Sequence, residues 1–143
     1  MHIGLLGGIG PAATDYYYRG LIRALAAMGK PLELTIAHAD APTLIGNLER
    51  GDDSAQAAIF AALIDRMKAA GAEAAAITSL GGSFCIDALR PLSPLPLIDI
   101  IEEVVRDIEL RGLKKVGLIG TRTVMETRFY GGLPAVDIIV PTE

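Results

Sequence analysis

A short apolar stretch, Ile3 to Leu6, runs without a spacer into Gly7-Gly8-Ile9-Gly10-Pro11 and from there into a helical pattern. A strand and a helix joined by so short a glycine turn must pack against each other, so the chain begins as a βα unit. The turn also has a chemical bias. Glycines let backbone approach a ligand closely, and the amides of a helix's first turn carry about half a positive charge. Pro11 suits the first helical position, where its missing N–H has no intrahelical partner to lose. A carboxylate or phosphate near residues 8–14 is the expected guest, with Gly8, Gly10 and Thr14 as its contacts.

The same alternation continues. Strands are predicted at 2–7, 33–38, 73–78 and 114–119, with shorter ones near 97–99 and 136–140. Between them, Tyr17, Leu21, Leu25 and Met28 fall on one helical face, closed by Gly29. Ile59, Phe60, Leu63, Ile64 and Met67 form a second stripe, capped by Asp53 or Ser54 and ended by Gly71. Ile101, Val104, Val105 and Ile108 form a third, over about 99–111. Strands alternating with helices in this way predict an α/β fold, a parallel sheet with helices on both faces.

Three prolines between Leu89 and Pro96 mark a bend. The expected division is a first lobe at 1–96, then a linker helix and the start of a second lobe at 97–143. Val116-Gly117-Leu118-Ile119-Gly120 with Thr121-Arg122-Thr123 loosely repeats the opening strand and turn. That second lobe is expected to be incomplete at Val140-Pro141-Thr142-Glu143. Its apolar face then needs cover, from a longer natural chain or from a second copy, and a homodimer is the expected assembly.

Composition excludes several classes. With 13 basic against 17 acidic residues and no basic cluster, nothing invites a nucleic acid. No apolar run reaches the roughly 18 residues of a membrane span, and the N-terminus has no basic leader region, so a cytoplasmic protein without a membrane partner is expected. The one cysteine, Cys85, excludes an internal disulfide, and no Cys/His spacing suggests a metal.

In open parallel sheets ligands sit beyond the carboxyl ends of the strands. The residues just past each strand are Gly8, Gly10 and Thr14; His38, Asp40 and Thr43; Thr78, Ser79, Gly81, Gly82 and Ser83; and Thr121 and Thr123. This rim of glycines and hydroxyls suits a small polar acid, with Arg50 or Arg122 as basic partners if one is needed. Some of these residues have two readings. Thr78 and Ser79 either cap the next helix or touch ligand, and Asp40 either caps or binds an ammonium group. His38 is either structural or part of the rim. Cys85 is either a thiolate favoured by a helix N-terminus or a small buried filler.

Together IGLLGGIGPAAT (3–14), the Asp40 turn, the helix closing on Gly71-Ala72-Glu73, and GLIGTRTVMETRFYGG (117–132) resemble the aspartate/glutamate racemase family. Ile9 stands where that family has methionine in its Gly-Gly-Met-Gly-Pro turn, and Val124 where it has a second threonine. The resemblance implies a two-lobed α/β enzyme working without a cofactor on a small amino acid or related carboxylic acid. It also implies a Cys-Asn-Thr-x-His segment after the third strand. Aligned without gaps, that segment is Ser79-Leu80-Gly81-Gly82-Ser83 here, which makes Ser79 the candidate acid/base position, with Cys85 six residues on as the other candidate. The family's second catalytic cysteine, in a Gly-Cys-Thr-Glu motif, is expected beyond residue 143.

Two other classes fit parts of the pattern. Loss of Cys-Asn-Thr suits a non-catalytic carboxylate binder or a single-base decarboxylase or isomerase. Gly8-x-Gly10-x-x-Ala13 satisfies a dinucleotide fingerprint, but its acidic partner would have to be Asp40, 27 residues past Ala13, and Pro11 sits inside the motif.

Overall fold

A computed structural model describes residues 1–133 and 136–141. The chain divides into two compact units, Met1–Ile98 and Asp99–Glu143.

The first unit runs β1 (His2–Gly7), α1 (Pro11–Ala27), β2 (Glu33–His38), α2 (Ala41–Arg50), α3 (Asp53–Ala69), β3 (Ala74–Ile77), a 3₁₀ turn (Leu80–Cys85), α4 (Ile86–Leu89) and β4 (Leu97–Ile98). Its sheet is parallel throughout, in the order β2-β1-β3-β4. Because β4 pairs with β3, this unit extends two residues past the boundary expected at 96. Leu5 lies opposite Ile36 on one side and Ala76 on the other. Alternate β1 residues face opposite layers: a side chain at Gly4 would meet Met67 of α3, and one at Gly7 would meet Thr14 of α1. Helices therefore cover both faces, and β1 is buried from Ile3 to Gly7.

The core lies on the α3 side. Phe60, Ile64 and Met67 recur at helical spacing and pack with Leu6, Leu44, Ala75, Ile77, Cys85 and Leu89. The expected stripe is thus present, with Phe60, Ile64 and Met67 buried and Ile59 and Leu63 half-buried. Three local details differ from expectation. The cap of α3 is Asp52, whose carboxylate accepts from Ala55 N at 3.1 Å; Asp53 and Ser54 already lie inside the helix. Met28 is 60% exposed, because α1 ends at Ala27 and Met28 has left the buried face. α2 has no stripe long enough to announce it and depends on local signals: Asp40 caps it and Gly51, at φ 64°, ends it in the left-handed region. A buried polar link holds α2 to α3. Asn47 Nδ2 donates to Gln56 Oε1 at 2.9 Å, and Arg50 Nη2 donates to Asn47 Oδ1 at 2.6 Å.

The second unit contains α5 (Ile100–Leu110), β5 (Lys115–Gly117), α6 (Arg122–Glu126) and β6 (Asp137–Ile139). Asp99 caps α5 by accepting from Ile101 N at 2.9 Å. β5 and β6 pair in parallel, Val116 opposite Ile138, and both are shorter than the sequence predicts. Large apolar side chains are exposed in this unit, Leu110 at 80% and Ile119 at 86%. Thr142 and Glu143, part of the expected chain end, lie outside the described residues. Among the described residues no helix is long and apolar enough to cross a membrane.

Phe60 is 1% exposed at the centre of the core. Phe60→Ala should cost about 3–5 kcal/mol of stability. Urea unfolding followed by circular dichroism should show a lower midpoint with little change in slope.

Candidate functional site

In the first unit the loops after β1, β2 and β3 meet at the carboxyl edge of the sheet. The strands end level because their last hydrogen bonds cross into the loops: Ala39 N donates to Gly7 O at 2.7 Å, and Thr78 N donates to Leu6 O at 3.0 Å. Below the first loop, the Thr78 hydroxyl donates to Leu6 O at 2.9 Å and lies 2.8 Å from the Thr14 hydroxyl. With the Thr78 proton committed to Leu6, the Thr14 hydroxyl donates to Thr78 and keeps lone pairs to offer outward. Thr78, 3% exposed, thus ties α1 to the sheet.

The glycines of these loops differ in what surrounds them. A side chain at Gly8 would meet Leu44 Cδ1 at 3.0 Å and the Ala39 carbonyl at 3.5 Å, so the β2 loop lies against it. One at Gly81 would stand 3.6 Å from Ser79 Oγ and 3.8 Å from Ile9 Cδ1, which brings the first and third loops together. Gly10 precedes α1 at φ 77°, in the left-handed region, with open space around its Cα. It has no side chain to cap the helix, and the first turn of α1 holds no acidic residue. The positive end of this 17-residue helix therefore has no anion in its own cap or first turn.

Gly8, Gly10, Thr14, Thr78, Ser79 and Gly81 are thus gathered at one edge, and Asp40 joins them through the β2 loop. Asp40 is exposed, and its carboxylate accepts from Thr43 N at 2.9 Å and Thr43 Oγ1 at 2.6 Å. The Thr43 hydroxyl, then its amide, hold the carboxyl below its usual value of 3.8. Ser79 precedes the 3₁₀ turn in extended conformation without a side-chain cap, so the capping alternative does not describe it. His38 is exposed beside Gly7, its Nδ1 3.7 Å from where a Gly7 side chain would begin. Ser83 is buried inside the 3₁₀ turn.

Cys85 ends that turn and is fully buried, its thiol donating to Gly82 O at 3.5 Å. Burial pushes the thiol up to about 12, helped by the charge on Asp53. Loss of hydration thus works against the thiolate that a helix N-terminus would favour.

Thr121 belongs to the second unit, where it caps α6 by accepting from Val124 N at 3.4 Å. Arg128, Phe129 and Tyr130 follow at φ 50°, 63° and 55°, three consecutive non-glycine residues in left-handed conformation, before Gly131. Each costs of order 1–2 kcal/mol. Of the two expected basic partners, Arg50 is engaged with Asn47, and Arg122 is the first residue of α6. Ala39 and Leu44 press on Gly8, and the buried Gln56 Nε2 has no partner among the described residues. Nothing in the residue pattern signals these, since each depends on loops brought together by the fold. Among the described residues no group of three His, Cys, Asp or Glu side chains could hold a metal ion.

Residues 6–136 match the family model described as Asp/Glu/Hydantoin racemase. Among solved structures, an Asp/Glu racemase candidate from Yersinia pestis aligns with 99% of this chain and 65% of its own, at 27% identity and a TM-score of 0.86. An aspartate racemase homologue from Pyrococcus horikoshii OT3 does so over the same shares, at 28% identity and 0.85. This chain thus spans about 65% of the length of both. Glutamate racemase from Aquifex pyrophilus, at 17% identity and 0.60 over 98% of this chain and 54% of its own, shares the fold.

Two measurements check this geometry. The Asp40 carboxyl should titrate below 3.8 by carbon-detected NMR, and Thr43→Val should move it back up. A depressed folded value means that the cap's contribution to stability is present above the unfolded pKa and is lost as pH falls through the folded one. Cys85 should resist iodoacetamide at pH 8 in the native protein and react promptly in 6 M guanidinium; fast native labelling would contradict its burial.

Proposed function

Because the chain belongs to the Asp/Glu/hydantoin racemase family, we propose that the rim of the first unit binds a small amino acid or related carboxylic acid and supports acid/base chemistry at its Cα without a cofactor. The observation that carries this reading is the uncapped N-terminus of α1 beside the Thr14–Thr78 hydroxyl pair, with Ser79 and Gly81 brought against the same turn through Ile9.

In this reading the substrate carboxylate lies on the backbone amides around Gly8 and Gly10, where the helix dipole and close backbone approach supply the attraction. Thr14 offers lone pairs, and Asp40 a carboxylate that stays ionised at neutral pH; both suit an ammonium group. When a proton leaves Cα, negative charge spreads onto the carboxylate, and the same amides hold it more strongly in the transition state than in the ground state. Thr78 positions Thr14, and Gly81 leaves room beside Ser79. Ser83 supports the turn from within. We assign Met1–Ile98 to a first lobe and Asp99–Glu143 to a linker helix and the start of a second.

Ser79 occupies the place where the family carries its first cysteine. A serine hydroxyl has too little basicity to take a Cα proton unaided, so it relays the proton to a base. His38 is the imidazole at this rim. Cys85 we assign to packing, since its thiol is neutral and enclosed. Inversion at Cα needs a second proton donor on the opposite face. With one working group, the chain would exchange the Cα proton, or decarboxylate or isomerise a substrate, without racemising it. Leu80, where the family has asparagine, favours this reduced chemistry, because it removes a donor from the carboxylate site.

The test is exchange in heavy water. With aspartate or glutamate and the 143-residue chain, proton NMR should show loss of the Cα–H signal, and chiral analysis should report whether inversion accompanies it. Exchange with retained chirality identifies one working group. Ser79→Ala should reduce exchange at least about a hundredfold while the substrate still shifts the amide signals of Gly8, Gly10 and Thr14. Neither exchange nor amide shifts at millimolar substrate would sink the proposal.

A further inference from the structure

α2 buries two side chains of opposite chemistry. Leu44 is apolar, and it is the group that a side chain at Gly8 would strike at 3.0 Å. Asn47, one turn on and buried as well, turns its amide to Gln56 of α3, which is 0% exposed. Asp40, Leu44 and Asn47 follow at the spacing of one helical face. A rotation of α2 that moved Asn47 would therefore also move the rim residues ahead of it.

The amide pair has a direction. A guanidinium only donates, so the 2.6 Å bond from Arg50 Nη2 fixes the Asn47 atom it reaches as Oδ1. Nδ2 is then turned to Gln56, which accepts with Oε1 at 2.9 Å. Gln56 Nε2 is left over, buried and without a partner among the described residues. Gly46 belongs to the same arrangement, since a side chain there would stand 3.2 Å from Nη1 of the arginine folded back over it. For stability alone this is a poor contact. An unpaired buried donor keeps its desolvation cost, and two apolar side chains of like shape would carry none. What an apolar pair lacks is direction, for it can slide where a bonded amide pair admits one placement.

We propose that Asn47, Gln56 and Arg50 are positioning residues for the rim. Together they fix how α2 lies on α3, and so hold Leu44 against Gly8 and Asp40 beside the turn that receives the substrate. The N-terminal end of α2 follows Ala39, whose amide is tied to Gly7 O, so the Asn47 end is the one that sets the swing of the helix. The three act through Leu44 and Asp40 and do not touch substrate themselves. Their effect on binding rests on the function proposed above; their effect on the placement of α2 does not.

The double variant Asn47→Leu/Gln56→Met of the 143-residue chain separates placement from stability. Its urea midpoint should equal or exceed that of the wild type. Without substrate, the NOE between the Leu44 methyls and the Gly8 α-protons should weaken, and the amide signals of Gly8, Ala39 and Asp40 should broaden. With aspartate or glutamate, the concentration giving half-maximal Cα–H exchange should rise at least about tenfold, while the rate at saturation changes less than about threefold. Arg50→Met, at an exposed position, keeps the fold and frees the Asn47 amide to turn, and it should move the same signals in the same sense. A double variant less stable than the wild type would make the pair an ordinary structural bond. One that keeps both the NOE and the sharp signals would show that α2 is placed without it. Either result overturns the proposal, as does an unchanged half-saturating concentration once the rim signals have broadened. If the wild type itself neither exchanges nor responds to substrate, the functional reading fails, and the substrate-free spectra still decide this one.

Discussion

The register of β1 between two parallel neighbours is the constraint on which the first unit depends. β1 has no exposed face from Ile3 to Gly7, so its amides and carbonyls have to be satisfied by β2 and β3, and a shift by one residue would turn Gly4 and Leu6 away from α3. Met67 leaves no room for a side chain at position 4, which makes the correct register also the one that packs. Once β1 is set, the strand ends are level. The Ala39 and Thr78 amides bond to Gly7 and Leu6, and the loops that follow meet at one edge.

That edge then acquires polarity without any fixed positive side chain. Gly10 provides no cap for α1, and Pro11 brings no amide, so the helix presents its dipole to whatever lies in front of it. The hydroxyl pair below is directional. Thr78 spends its proton on a backbone carbonyl inside the sheet, which leaves Thr14 facing the rim as an acceptor. An anion-favouring helix end beside a hydroxyl acceptor and the ionised Asp40 is the arrangement a zwitterion would meet, charge against charge. Cys85 shows the opposite outcome. Its neighbours belong to the core, and burial raises its thiol so that it stays neutral.

The legibility of this chain follows the range of the interactions involved. The strand-turn-helix opening, the α3 stripe and the Gly29 and Gly71 stops are encoded within a few residues of where they act, and the motifs of the first and last thirds carry the family with them. The cap of α3 falls at Asp52 rather than at Asp53 or Ser54, because three acidic or hydroxyl residues in a row compete for one backbone geometry. α2 was not singled out because its hold on the fold comes from Asn47 reaching Gln56, a contact that only the packing of two helices creates.

By itself the sequence determined the α/β alternation, the glycine turn that suits an anion and the family, since periodicity and backbone freedom are local properties. Tertiary structure decided which hydroxyl is acceptor and which is donor, that Ser79 leaves its turn uncapped while Cys85 is enclosed, and that Leu44 presses on Gly8. Those outcomes depend on burial and on distances between loops far apart in the chain, which exist only after the parallel strands have been drawn into register.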